Sequence, residues 1–80
     1  MTVTLRFFAS YAESLGTPSL ELQMAEGSTV ADVMQAISAM TGAGRLPPNP
    51  LVAVNHSYER NSRVLLDGDE VALIPPVAGG

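Results

Sequence analysis

From Thr2 the chain alternates, with Val3, Leu5 and Phe7 apolar on one side and Thr2, Thr4 and Arg6 polar on the other. Period two with β-branched and aromatic residues predicts a strand over 2–8. Phe8 breaks the pattern as an aromatic on the polar face: either the next segment covers it or it belongs to an interface. Ser10 and Glu13 stand at capping-box spacing and predict a short helix over 11–15, ended by Gly16 and Pro18. That role accounts for both side chains, so neither is a catalytic candidate. Ser19 to Met24 alternates again, Leu20, Leu22 and Met24 inward and Glu21 and Gln23 outward, and predicts a second strand.

The period then changes. After a Glu26-Gly27 turn, Val30, Val33, Met34, Ile37 and Met40 fall on the i, i+3, i+4, i+7 stripe of an amphipathic helix, with Thr29 as N-cap, Asp32 three residues on and Gly42 as the stop. The methionines on this stripe read as core filling rather than a cofactor site. The stretch from Gly42 to Pro50 contains three prolines and predicts an irregular loop, in which Arg45 is either solvated or reaches a partner. Leu51 to Val54 predicts a buried strand, Asn55-His56-Ser57 a turn, and Tyr58 to Leu66 an irregular or weakly extended segment. Asp67-Gly68-Asp69-Glu70 predicts a turn leading into a last strand, Val71 to Ile74, with Val71 and Leu73 facing the core and Ala72 and Ile74 outward. Strands around one long helix give an α+β layer: a small mixed sheet packed on that helix, its last strand central.

Composition narrows the function. Eighty residues make one domain near the lower limit for burying a core unaided. With no cysteine, the chain has no disulfide, thiolate nucleophile or zinc cage, which fits a reducing, cytoplasmic setting. No apolar run approaches the ~20 residues of a membrane span. The net charge is −4, from four arginines, no lysine and eight acids. Without a basic cluster the chain is a poor nucleic-acid binder and suits a basic protein partner better. Lacking lysine, it offers no side-chain amine to another carrier's C-terminus. His56 is the single histidine, with no second His or Cys to share a metal. The acids at 67, 69 and 70 lack the 12-residue loop of an EF-hand, and turn geometry explains them.

What remains is the ending, Pro75-Pro76-Val77-Ala78-Gly79-Gly80. Average usage of Gly and Pro makes such a string a chance event in about one chain in 80,000. Prolines end a strand at Ile74 and favour an extended tail of roughly 18 Å at about 3.1 Å per residue. Glycines at the tip allow passage through a channel too narrow for side chains. The tip presents the α-carboxylate of Gly80. A frayed end is the ordinary reading of a terminus, but not of one composed like this. The expected organisation is a domain over 1–74 and a tail over 75–80.

Element order and ending together resemble the ubiquitin-like β-grasp family and, within it, the small subunits of molybdopterin synthase, the sulfur carriers of molybdenum-cofactor biosynthesis. The resemblance spans the chain, through Leu5-Arg6-Phe7-Phe8-Ala9, Val52-Ala53-Val54-Asn55, and the block from Asp67 through Ile74 to Gly80. It implies that an ATP-dependent, E1-like activating enzyme adenylates Gly80, and that a sulfur-donating enzyme then supplies the sulfur of a thiocarboxylate. It also implies that the tail (Pro75, Pro76, Val77, Ala78, Gly79) enters a large catalytic subunit, where the sulfur passes to a pterin precursor. Catalytic groups then lie in the large subunit; this chain is a donor without catalytic groups of its own and binds no cofactor stably. The thiazole sulfur carrier has a similar fold and Gly-Gly ending but typically lacks the Pro-Pro-Val stretch. A ubiquitin-like modifier joined to target lysines is a further alternative. If the first and last strands are neighbours, Phe8 and Ile74 share an outer face beside the tail, and Tyr58 could join them as a partner-binding surface. Arg6 and Arg63 are either solvated or pair with a partner's acids.

Overall fold

A computed structural model of the chain describes residues 1–40 and 50–75. In order the elements are β1 (Thr2–Phe7), α1 (Ser10–Leu15), β2 (Ser19–Gln23), α2 (Val30–Ser38), β3 (Leu51–Val54), β4 (Ser57–Tyr58) and β5 (Glu70–Ile74). The strands form one mixed sheet in the order β2-β1-β5-β3-β4. β5 runs parallel to β1 and antiparallel to β3, so the last strand is central, as expected. Alternation in each strand decides which face is buried. Val3, Leu5, Phe7, Val52, Val54, Val71 and Leu73 point to the inner face, where Val30, Val33 and Ile37 of α2 meet them, with Tyr11 and Leu65 closing the core. Burying a side chain of this size stabilises by about 1.5–3 kcal/mol relative to exposure, so this single cluster holds the sheet and helix together. This is the ubiquitin-like β-grasp topology, an α+β fold with the helices against one sheet face.

Several details differ from the sequence reading. At α2 the expected capping box is present: the Thr29 hydroxyl accepts from the Asp32 amide and the Asp32 carboxylate accepts from the Thr29 amide. At α1 it is not. That helix begins at Ser10 and its N-cap is Ala9, at φ 49° and ψ −123°, with no side-chain cap bond. Ser10 thus sits one residue too far along to cap. The expected long helix is nine residues, somewhat under the mean of about 11–12. It ends at Ser38 with Ala39 as C-cap, short of Met40. The Gly42 stop and Arg45 lie outside the described residues.

The segment expected to be irregular or weakly extended opens on a two-residue strand. Asn55 and His56 have φ of 50° and 73°, the two positive values of a type I′ turn, and Val54 pairs directly with Ser57. The turn is therefore two residues long, and Tyr58 belongs to β4. Asp69 serves turn geometry through the Leu66 amide, three residues back, whereas Asp67 ties the turn to the start of β1. Asp67 accepts from the Thr2 amide at 2.7 Å; Asp69, nearly buried, accepts from the Asn55 amide group and from the Leu66 backbone.

Candidate partner-docking site

The outer sheet face carries the site. Arg6 of β1 lies beside Ala72 of β5, Ala72 lies opposite Ala53 of β3, and Ala53 lies opposite Tyr58 of β4. Leu51 is opposite Ile74. Two alanines in adjacent central strands leave a hollow where larger side chains would stand. Arg6, Phe8, Tyr58 and Ile74 wall it, with His56 and Glu70 completing a depression of about 330 Å³. Phe8 is 42% exposed, Tyr58 70% and Leu51 39%. Large apolar side chains left this open around a concavity, in a chain this short, mark an interaction surface.

Phe8, Tyr58 and Ile74, which the sequence nominates as a partner-binding face, are thus brought together around one hollow. Phe8 stands just past the end of β1, where its amide donates to Leu73 O at 3.2 Å and tethers it to the central strand. Pro75 follows Ile74 directly, so the hollow adjoins the root of the terminal segment. Pro76, Val77, Ala78, Gly79 and Gly80 lie outside the described residues.

The electrostatics are mild. The Arg6 guanidinium lies 3.9 Å from the Glu70 carboxylate and 6.0 Å from the centre of the Phe8 ring. An ion pair this long and this exposed contributes between zero and about 1 kcal/mol. Arg6 is therefore held only loosely and can turn to an incoming acid. Arg63, by contrast, is engaged within the chain, donating to Glu59 at 2.6 Å and to Val64 O. One ionisable group stands out elsewhere: burial in the core raises the Tyr11 hydroxyl above its usual pKa.

Sequence reasoning left Arg6 either solvated or paired with a partner's acids, and missed Ala53, His56, Glu70 and Ala72 as walls of the hollow. The two alanines carry a legible signal, being small outward residues in adjacent strands, but only once the register is known. His56, read as a solvated turn residue, is positioned by a left-handed turn. Among the described residues no group of three or more His, Cys, Asp and Glu side chains could hold a metal ion, and no helix is long and apolar enough to cross a membrane.

Comparison with known proteins places these features. The molybdopterin synthase sulfur carrier subunit of Escherichia coli is 36% identical over 81 residues, covering 98% of this chain and 99% of its own. Small archaeal modifier protein 3 of Haloferax volcanii is 34% identical over 92 residues and covers both chains fully. Among solved structures, SAMP1 from Haloferax volcanii superposes with a TM-score of 0.84 at 27% identity, each chain covered completely. The model of the ThiS family matches residues 5–80, and the chain belongs to that family.

Proposed function

We propose that this chain is the sulfur-carrying small subunit of a molybdopterin synthase, with Gly80 as its working end. The full-length match to the Escherichia coli sulfur carrier subunit carries the reading. The Gly79-Gly80 ending and the apolar hollow beside Pro75 support it. In this reading residues 1–74 are a handle and 75–80 a tail.

The chemistry follows from the carboxylate. Ionised at neutral pH, as a C-terminal carboxylate ordinarily is, it resists a nucleophile because it already bears negative charge. Attack of its oxygen on the α-phosphorus of ATP, on an activating enzyme, expels pyrophosphate and leaves an acyl-adenylate whose carboxyl group is no longer charged and has AMP as leaving group. Hydrosulfide, released at the sulfide level by a donor enzyme, attacks the carbonyl carbon, expels AMP and leaves the C-terminus as a thiocarboxylate. With no cysteine of its own, the carrier must take that sulfur from outside. The tail then enters the large subunit, whose groups direct attack of the thiocarboxylate sulfur on a pterin precursor; water then hydrolyses the acyl–sulfur bond, leaving the sulfur on the pterin and Gly80 as a carboxylate. The hollow formed by Phe8, Tyr58 and Ile74 docks the partner, and the carrier works in the cytoplasm.

Intact mass tests the chemistry. Incubation with ATP, an activating enzyme and a sulfur source is expected to add the mass difference between one sulfur and one oxygen, and deletion of Gly80 to abolish the gain. An unchanged mass under conditions that load the Escherichia coli carrier overturns the proposal. The modifier relative from Haloferax volcanii favours a second reading, conjugation through Gly80 to target lysines. Products heavier by a whole target protein would establish that instead.

A further inference from the structure

Among the described residues, the non-glycine residues with positive φ are Ala9, Asn55 and His56. All three adjoin the docking hollow. Asn55 and His56 form the turn that delivers Tyr58, and Ala9 follows Phe8. Asparagine tolerates the left-handed region, and hairpin turns favour it there. Ala9 has no such excuse. At φ 49° and ψ −123° it holds the first central position of a type II′ turn, closed by the Tyr11 amide on Phe8 O at 3.0 Å. That position belongs to glycine, and a side chain there stores strain.

We propose that Ala9 is a positioning residue for partner docking: its strained turn holds Phe8 upright at the wall of the hollow. This rests on the docking role given to Phe8 above. The reasoning is about widths of conformational wells. Glycine would meet the turn's geometry without strain, but it would also let the peptide beside Phe8 swing over a broad range of φ. A Cβ narrows that range. Phe8 is 42% exposed, so its backbone must supply much of its order. An ordered anchor loses less freedom on binding, and that difference returns as affinity. Strain kept at a binding surface, where glycine would relieve it, is the pattern expected when geometry rather than stability is being held.

The chain is short enough for total synthesis, which permits a decisive comparison of wild type, Ala9→Gly and Ala9→D-Ala. D-alanine favours the mirror-image extended region, at positive φ and negative ψ, so it removes the strain yet keeps the Cβ. Both variants are expected to melt at or above the wild-type temperature. In the free protein, NMR relaxation should show Phe8 less ordered in Ala9→Gly alone. Calorimetric titration with purified large subunit of molybdopterin synthase should show Ala9→Gly binding about three- to tenfold more weakly, the cost of ordering one side chain, and Ala9→D-Ala binding as wild type. A lower melting temperature in Ala9→Gly overturns the strain. Unchanged Phe8 order, or equal affinity of all three proteins, overturns the positioning role. Failure of wild type itself to bind the large subunit would overturn the partner reading, while the relaxation measurement still decides whether Ala9 orders Phe8.

Discussion

Asp69 ties the turn of the β3–β4 hairpin to the turn before β5, adding to the β3–β5 ladder, and replacing it with alanine tests that tie quantitatively. The side chain is 7% exposed. One carboxylate oxygen accepts from the Asn55 amide group at 2.9 Å and the other from the Leu66 backbone amide at 2.8 Å. Asn55 in turn accepts from the Glu70 amide at 3.0 Å and donates its own amide to Glu70 O at 2.8 Å. Asp69→Ala removes an ionised acceptor and leaves two donors without one. Each orphaned donor costs about 1–3 kcal/mol, and relief of the carboxylate's own desolvation offsets part of it. The expected net loss is about 2–4 kcal/mol. A domain of this size has about 4–12 kcal/mol in all, so a large fraction of its stability is at stake. Urea unfolding followed by circular dichroism reads the loss. With a slope near 1 kcal/mol per molar, the midpoint should fall by about 2 M or more. In a double-mutant cycle with Asn55→Ala, the two changes should couple by about 0.5–3 kcal/mol. A midpoint shift under about 0.5 M at unchanged slope, or no coupling, would refute the reasoning.

Other expectations follow from the same geometry. Tyr58 is 70% exposed, so Tyr58→Ala should change folding stability by no more than about 0.5 kcal/mol while weakening binding to the large subunit by about 1 kcal/mol or more, read by calorimetry. Thr29→Ala breaks the capping box of α2 and should cost about 1 kcal/mol in a urea melt, whereas Ser10→Ala, at a helix without that cap, should cost little. Burial raises the Tyr11 hydroxyl, so the folded state holds its proton at pH values where the unfolded chain has released it. That contribution is complete below pH about 10 and is lost as pH rises toward the folded-state value. The urea midpoint of wild type should therefore fall more steeply above pH 10 than that of Tyr11→Phe, and parallel curves would contradict the assignment.

What the sequence determined by itself was local. Alternation in Thr2–Phe7 and Glu70–Ile74, and the stripe of Val30, Val33 and Ile37, named the core residues and their faces, because burial on one side of a strand or helix leaves a period in the chain. Tertiary structure decided whatever depended on register between distant segments. The hollow exists because Ala53 and Ala72, nineteen residues apart, lie opposite one another, and no period within either strand reports that pairing. Tyr58 became a wall residue because a two-residue turn placed it opposite Ala53. The failed cap at Ser10 has a related cause. Its spacing was right, but a hydrogen bond from the Phe8 amide to Leu73 O fixes the chain one residue earlier and forces Ala9 into the capping position. Local pattern records what each segment must bury; only the assembled sheet decides which side chains stand together around the hollow.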